Sequence, residues 1–308
     1  MRVLVLGANG FVGKRILNAL TQAPDFTAVA GVRRTVAGEH IVLDACKADN
    51  LRSALQNVEA VVNCVTGDAQ AITTNAAALL AAVNGTGKRI VHMSSMAVYG
   101  NATGVVDESA ATRSGSGWYA DAKIEAEKQL AECQSPVTVF RPGIIYGAGS
   151  SQWTNRIATL LEERRIGDMG AAGDGCCNLV HVQDVAQATL AALRRNDSGH
   201  ATYNLAMPDA PDWNQYFFLM AKAMGAVPIR RITARKLKIE TKLLAIPLKL
   251  SEKVSRNLPP AITPSLAHAW QQNLRLDSHR ATQELSISWM SVSDGVSEGV
   301  AGWKNRRV

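Results

Sequence analysis

The chain has 308 residues, enough to bury the core of one large domain or two modest ones. With 47% hydrophobic and 19% charged residues it has the composition of a globular protein, and none of its apolar runs reaches the roughly 18 residues of a membrane span. Its 5 cysteines are odd in number and lack metal-ligand spacing, and its apolar start is too short for a secretory signal, so we expect free thiols, no metal site and a cytoplasmic location.

The first predicted strand leads into a glycine-rich turn. Residues 2–6 form a short apolar run, typical of a buried strand, and apolar residues recur with helical spacing over 14–20. Glycines between them can serve a plain turn. Between a strand and a helix, however, they let the backbone approach a pyrophosphate, which the free N–H groups of the helix N-terminus attract. The turn has the spacing G-x-x-G-x-x-G, and we expect it to bind a dinucleotide through Gly7, Asn9, Gly10, Phe11, Val12 and Gly13.

Two arginines, Arg33 and Arg34, follow the second predicted strand at 26–32. In NAD-binding folds of this kind, a carboxylate at this position bonds the ribose 2′-hydroxyl. Two guanidinium groups can instead hold a 2′-phosphate, and no carboxylate stands here to repel it. We therefore expect NADP as the cofactor, with NAD as the alternative and a solvated surface pair as the non-functional explanation of the arginines.

Strands and helices keep alternating to about residue 147. Further strands are predicted at 41–43, 60–65, 89–93 and 137–140, and helices at 50–56, 69–83 and 118–133. Such alternation implies parallel strands joined by right-handed crossovers, so the predicted fold class is α/β, a doubly wound parallel sheet of the Rossmann type. Ligands of these sheets bind at the carboxyl ends of the strands, where Asn63 and Val65 should line the cofactor.

The alternation fades after residue 147, and prolines punctuate the remainder. We expect a dinucleotide-binding domain at 1–147 and a smaller, mainly helical, substrate-covering C-terminal domain at 148–308. The division should not be clean, because a buried apolar run predicts a return to the main sheet near 178–193.

One predicted helix carries Tyr119 and Lys123, four residues apart and therefore on one helical face. A fixed cation beside a phenol lowers the phenol pKa from about 10 toward working pH. The pair is thus a candidate proton donor and acceptor for chemistry between a carbonyl and an alcohol. By itself it is weak evidence, since an ordinary amphipathic helix can carry both residues by chance.

Further segments, in chain order, join the glycine-rich turn and the Tyr119–Lys123 pair. They are S-S-x-x-V-Y-G at 94–100, R-P-x-x-x-Y-G at 141–147, V-H-V-x-D-V-A at 180–186 and D-x-x-x-A-x-x-x-L at 277–285. Together they resemble the extended branch of the short-chain dehydrogenase/reductase superfamily, whose members are NAD(P)-dependent epimerases, dehydratases and reductases. The resemblance runs along nearly the whole chain. It implies a catalytic hydroxyl on Ser95, with Ser94 as the less favoured choice.

The resemblance also implies roles for other residues. Ser95, Tyr119 and Lys123 would be catalytic, and Tyr119 and Lys123 would also touch the cofactor. Asp44 resembles the family's adenine-contacting Asp, although a helix N-cap explains it equally well. Asn75 matches a site-supporting Asn, although a polar helix position explains it nearly as well.

The implied function is an NADP(H)-dependent oxidoreductase that interconverts a carbonyl and a secondary or primary alcohol. The segment 173–178 lacks the arginine that nucleotide-sugar members carry there, and Met96-Ala97 stands where sugar dehydratases need an acidic pair. Two alternatives stay open. One is a nucleotide-sugar 4-epimerase of the same family with bound NAD, and the other is a non-catalytic NADP-binding sensor.

A basic segment, residues 222–256, holds ten Lys and Arg residues against Glu240 and Glu252, with leucines and isoleucines between them. A solvated helix face explains it best, ahead of attraction of an anionic substrate. Membrane-surface binding is the weaker option, because Pro247 interrupts the apolar stripe. The expected partner is therefore a small carbonyl or alcohol substrate, with homodimerisation open, no stable membrane insertion and no nucleic acid, since aromatic residues make up only 5% of the chain.

Overall fold

The computed structural model of the protein describes residues 1–195, 199–251 and 260–306, and a seven-stranded sheet runs through its centre. The strands in these ranges are β1 (Arg2–Leu6), β2 (Thr27–Val32), β3 (His40–Val42), β4 (Ala60–Asn63), β5 (Arg89–Met93), β6 (Gly104–Val106), β7 (Val137–Pro142), β8 (Ile144–Tyr146), β9 (Leu179–His181), β10 (Ala201–Leu205) and β11 (Leu274–Leu276). The helices are α1 (Phe11–Gln22), α2 (Ala48–Ala54), α3 (Ala69–Val83), α4 (Trp118–Ala131), α5 (Arg156–Glu162), α6 (Val182–Arg194), α7 (Trp213–Met224), α8 (Ala234–Ile239), α9 (Ala245–Ser251), α10 (Pro264–Ala269), α11 (His279–Glu284) and α12 (Val292–Lys304).

All neighbours in the main sheet are parallel, in the order β10-β7-β5-β4-β1-β2-β3. Strands that are covered on both faces have near-continuous apolar sequences, and β4 is buried throughout. The strand order changes direction at β1, which lies between β2 and β4. The carboxyl ends of β1 and β4 therefore border a crevice of the kind that binds ligands in doubly wound sheets. The predicted fold class is confirmed.

Helices cover both faces of this sheet. On one face α1 and α6 pack together, with Ile16, Leu20 and Val185 in a shared apolar core. On the other face, α3 and α4 contribute Leu79 and Leu130 to a second core. Because both layers are anchored by buried side chains, the strand ends that form the crevice are held in fixed positions. Across the described ranges, no helix is both long enough and apolar enough to cross a bilayer.

The predicted return to the main sheet needs a correction. The apolar run at 179–181 is β9, which pairs with β8 in a separate two-stranded sheet, and the strand that rejoins the main sheet is β10. Of the predicted range 178–193, the part that returns to the main body is α6, which packs on α1. A three-residue apolar run signals a buried strand, but it carries no information about which strand it pairs with.

A further apolar core, outside the main sheet, is rich in aromatic rings. Phe217 of α7 meets Trp270 edge to face, with ring centroids 5.4 Å apart, and Trp213 packs beside both. Helix α12 adds Val300 and Trp303 to the same core. This core supports a substrate-covering C-terminal domain, and the boundary at 147/148 remains our proposal.

A buried ion pair lies beneath α4. Glu127 binds Arg141 of β7, with 2.6 Å between Oε2 and Nη2, and it also accepts a hydrogen bond from the Ser94 hydroxyl. Arg141 Nη1 donates to the Tyr99 hydroxyl at 3.0 Å, and that hydroxyl donates to Asn204 Oδ1 of β10 at 2.7 Å. The pair therefore ties α4 to two strands of the sheet and to the segment that follows β5.

Replacing Glu127 by alanine should lower the free energy of unfolding by about 3–5 kcal/mol, because the Arg141 guanidinium would stay buried without its partner. Glu125→Ala is the matched control, since Glu125 lies on the exposed side of the same helix and accepts from Gln129 at 3.2 Å. The control should change stability by less than about 0.5 kcal/mol. Urea unfolding followed by circular dichroism measures both, and equal losses in the two variants would contradict the assigned role of the buried pair.

Candidate active site

The turn after β1 has the geometry of a phosphate cradle. Gly7 has a φ of +74°, which favours glycine, and a Cβ there would lie 2.8 Å from the Cys64 carbonyl oxygen. A Cβ on Gly13 would lie well inside van der Waals contact with the Gly7 carbonyl oxygen. Helix α1 then starts at Phe11 with Gly10 as its N-cap, and no side chain caps it. The helix N-terminus is thus left to bind an anion through its backbone N–H groups.

A cavity of about 590 Å³ lies beside this turn, at the carboxyl ends of β1, β2 and β4. Arg33 and Arg34 line it with exposed side chains, and in the part of the chain that the structure describes neither guanidinium group has a hydrogen bond or an ion pair. No carboxylate follows β2, so the cavity has the charge expected for a 2′-phosphate. Its volume and its strand-end position fit a dinucleotide.

Seven of the predicted cofactor residues line this cavity, namely Gly7, Asn9, Gly10, Arg33, Arg34, Asp44 and Val65. The structure does not bring the other six to its wall: Phe11, Val12, Gly13, Asn63, Tyr119 and Lys123. Phe11, Val12 and Gly13 lie in the first turn of α1, where Gly13 packs under Gly7. The motif analysis missed several lining residues: Ala8, Gly31, Val32, Leu43, Ala45, Cys46, Cys64, Thr66 and Ala71. Their common signal is their position at strand ends or just after them.

Asn63 acts from behind the cavity wall. Its Nδ2 donates to Asn75 Oδ1 at 2.7 Å and lies 3.2 Å from His92 Nδ1, while its Oδ1 accepts from the Val65 N–H at 3.3 Å. Asn75 in turn donates to the Ala45 carbonyl at 2.8 Å. Asn63 therefore shapes the lining backbone at Ala45 and Val65. The prediction that it lines the cofactor is wrong for its side chain, which these bonds turn inward.

Asp44 is not a helix N-cap. Its carboxylate accepts the Cys46 N–H at 3.0 Å, and the N-cap of α2 is Lys47. Because Asp44 also lines the cavity, the adenine-contacting role implied by the resemblance is the explanation that this geometry favours.

Ser95, Tyr119 and Lys123 meet where β5 ends and α4 begins. The Ser95 hydroxyl is hydrogen-bonded to the Tyr119 phenol. Lys123 Nζ lies 6.0 Å from the centre of the Tyr119 ring and donates to the Met93 carbonyl at 2.6 Å. Ser94, the less favoured serine, is instead bonded to Glu127. The structure thus brings the three predicted catalytic residues together and favours Ser95 over Ser94.

The electrostatics of this cluster differ from the sequence prediction in one respect. Burial raises the pKa of Tyr119, and the hydrogen bond from Ser95 opposes that rise. Burial also lowers the pKa of Lys123 to about 8. The predicted lowering of the phenol pKa by Lys123 is absent, because the ammonium group is bonded to the Met93 carbonyl and the phenolate would be desolvated.

Cys64 connects the catalytic cluster with the cavity. It lines the cavity, and its thiol interacts electrostatically with Lys123, although burial raises the thiol pKa to about 12. A thiol with that pKa is neutral at physiological pH and is a poor nucleophile. Cys64 is therefore part of the wall between the cavity and Lys123.

These features define a class of protein: a Rossmann-type enzyme whose dinucleotide cavity adjoins a Ser–Tyr–Lys cluster. The model of the NAD dependent epimerase/dehydratase family matches residues 3–206, and the chain belongs to this family. The resemblance to the extended short-chain dehydrogenase/reductases is thereby confirmed. The enzyme is of the NAD(P)-dependent oxidoreductase type.

Two characterised relatives have different activities. UDP-glucose 4-epimerase of Vibrio cholerae is 28% identical over 172 residues, and the match covers 48% of this chain and 52% of the relative, so the chain spans about half its length. The 3-diazoavenalumate denitrifying reductase of a Streptomyces species is 27% identical over 262 residues, which cover 76% of this chain and 85% of the relative.

Solved structures share the fold over the whole chain. A UDP-glucuronic acid 4-epimerase from Bacillus cereus in complex with NAD has a TM-score of 0.74 at 18% identity, covering 99% of this chain and 97% of the other. A UDP-glucose 4-epimerase with UDP-glucose from Thermotoga maritima has a TM-score of 0.74 at 15% identity, covering 100% of both chains. At these identities the likeness establishes the fold alone.

Gly13→Ala should weaken dinucleotide binding at least about tenfold, because the added methyl group would push Gly7 and the cradle out of position. The matched control is Gly199→Ala, where an added Cβ would meet no atom within 4 Å. Isothermal titration with NADH and NADPH measures the change. Unchanged affinity in Gly13→Ala would show that the turn does not hold the pyrophosphate.

Proposed function

We propose that this enzyme reversibly oxidises a hydroxyl-bearing carbon of a small substrate, with Tyr119, Ser95 and Lys123 as its catalytic residues. The observation that carries this proposal is the meeting of these three side chains beside the dinucleotide cavity. A bound nicotinamide ring supplies reversible hydride transfer, and the residues that would hold the cofactor are those of the glycine turn and the lining of the cavity.

Each residue of the cluster has a distinct task. With its raised pKa, the Tyr119 phenol is protonated at neutral pH, which is the form that donates a proton to a ketone oxygen. In the oxidative direction the same phenol must first lose its proton, and Ser95, whose hydrogen bond lowers the phenol pKa, assists that loss. Lys123 provides the positive charge that stabilises the developing oxyanion and the phenolate.

The comparisons support an epimerase better than the reductase that the sequence patterns favour. The matching family model, the Vibrio cholerae relative and the solved structures all concern epimerases. We therefore propose that the oxidised intermediate is reduced again in the same site, which inverts the carbon of a nucleotide sugar. Such an enzyme retains its NAD through many turnovers, because the hydride returns to the substrate.

A reductase is the second candidate, and a specific observation favours it. Arg33 and Arg34 line the cavity where an NAD enzyme usually has a carboxylate, which suits NADP(H). The Streptomyces relative, which matches further along the chain, is a reductase. A reductase releases its oxidised cofactor in every cycle, so it would bind NADPH reversibly.

Tyr119→Phe should reduce turnover at least about a hundredfold while leaving nucleotide affinity within about twofold, because the variant loses the transferable proton but keeps the ring. Interconversion of UDP-glucose and UDP-galactose, and NADPH oxidation with a ketone panel, provide the assays. The control is Tyr146→Phe, whose buried hydroxyl has no hydrogen-bond partner among the described residues. Near-normal turnover in Tyr119→Phe would exclude the proposed catalytic role, and an inactive wild-type protein that binds NADPH would favour the sensor alternative.

The double variant Arg33→Gln/Arg34→Gln separates the two nucleotide preferences. If the arginines hold a 2′-phosphate, the dissociation constant for NADPH should rise about ten- to a hundredfold, with little change for NADH. Lys128→Gln/Lys222→Gln, two exposed lysines away from the cavity, makes the same change in net charge. A parallel loss for NADH and NADPH would contradict a phosphate-specific role.

A further inference from the structure

The basic segment forms a helix that is fixed on one side only. Helices α8 and α9 are joined by a wide turn at 240–244, so that the helix runs from residue 234 to residue 251. On its inner side Glu240 is buried and paired with Arg165, with 2.5 Å between Oε2 and Nη2. Lys236 Nζ also donates to the Arg164 carbonyl at 2.8 Å, and Ala245 is buried. These contacts hold one face of the helix against the body of the protein.

The outer face carries an apolar ridge formed by Ile239, Leu243 and Ile246. Their spacings of four and three residues place them on one side of a helix, and their exposed fractions are 41%, 69% and 68%. Leu244 beside them is 41% exposed. Of the ten large apolar side chains that are exposed in the described residues, four thus lie within 239–246. This concentration is more than the scatter of single exposed apolar residues expected on any protein surface.

Positive charge surrounds this ridge without any compensating acid. Arg235, Lys238, Lys242 and Lys249 are exposed. The acidic residue within 234–251, Glu240, is buried on the inner side in its ion pair with Arg165. The outer face therefore combines exposed apolar side chains with a purely cationic border. Lys253 and Arg256 of the basic segment lie outside the described residues.

We propose that the outer face of residues 234–251 binds the surface of an anionic lipid bilayer. An amphipathic helix of this kind lies in the membrane plane, with its apolar side chains at the boundary between headgroups and acyl chains. Lysine and arginine side chains beside the ridge reach the lipid phosphates and bury their methylene stems along the interface. The expected mode is peripheral docking, which does not require a spanning helix.

Other occupants of this face fit the observations less well. A second copy of the chain would bring cationic borders face to face, on a protein whose net charge is +7. A stable protein interface typically buries about 1,600 Å² in total, which a ridge of a few side chains does not supply by itself. The weaker standing that the sequence gave to membrane binding rested on Pro247. In the structure the helix continues through Pro247, which is itself exposed on the outer side.

Vesicle co-sedimentation of the full chain tests this proposal. Vesicles of phosphatidylcholine alone are compared with vesicles that contain about 30% phosphatidylglycerol, at about 0.1 M salt. The test variant is Ile239→Gln/Leu243→Gln/Ile246→Gln, which keeps every charge. The matched control is Val105→Gln/Phe218→Gln, which removes exposed apolar side chains elsewhere. Circular dichroism confirms that the variants are folded.

We expect the wild type to bind the anionic vesicles at least about tenfold more tightly than the neutral ones, and the ridge variant to lose at least about tenfold of that affinity. The control should bind like the wild type. Lys238→Gln/Lys242→Gln should weaken binding more than Lys128→Gln/Lys222→Gln does.

Three results would overturn the proposal. Failure of the wild type to bind anionic vesicles would exclude membrane docking. Unchanged binding of the ridge variant would mean that net charge alone, and not this face, attracts the protein. A wild-type dimer in analytical ultracentrifugation that the ridge variant dissociates, without vesicle binding, would identify the face as an interface between two copies.

Discussion

One buried cation, Lys123, connects the parts of the candidate site. Its ammonium group donates to the Met93 carbonyl at the end of β5, lies beside the Tyr119 ring and interacts with Cys64 at the cavity wall. Taking an ammonium group out of water is unfavourable, which is why the pKa of Lys123 falls to about 8. The fold offsets this penalty with a carbonyl oxygen and with the nearby Glu127 carboxylate. A Lys123 that changes its bonding from Met93 to a cofactor hydroxyl would carry its charge toward the substrate.

The layer behind Lys123 explains how the site keeps its shape. Glu127 lies four residues further along the same helical face and is bonded to both Arg141 and Ser94. Arg141 extends the contacts to Tyr99, and Tyr99 extends them to Asn204 in the edge strand β10. Because this buried network is well satisfied, α4 is held in a single register against the sheet. Catalytic groups on rigid elements are positioned more accurately than groups on loops, and Tyr119 benefits from this support.

The features that sequence could predict are those with a local physical cause. Buried strands are apolar because both sheet faces are covered, and Gly7 and Gly13 are glycines because backbone atoms occupy the space a side chain would need. The spacing of Tyr119 and Lys123 is helical, so their proximity followed from the sequence. These regularities explain why the fold class and the meeting of the three catalytic candidates were predictable.

The features that sequence could not predict depend on tertiary context. The pairing of β9 with β8 is not encoded in a three-residue apolar run. The inward turn of the Asn63 side chain depends on Asn75 and His92, which come from other elements. The raised pKa of Tyr119 depends on burial, which a helical spacing does not reveal. The exposure of the apolar ridge at 239–246 is likewise visible only once the inner face of its helix is identified.

The central claim is that hydride leaves a substrate carbon and returns to it within one site. It is tested most directly by denaturing the purified protein, then identifying and quantifying the nucleotide that is released. Near-stoichiometric NAD, retained through purification, is the expected result. A protein that emerges largely empty and then binds NADPH in preference to NADH would contradict the epimerase assignment and favour the reductase. A protein that releases and binds neither nucleotide would contradict nicotinamide chemistry at this site altogether.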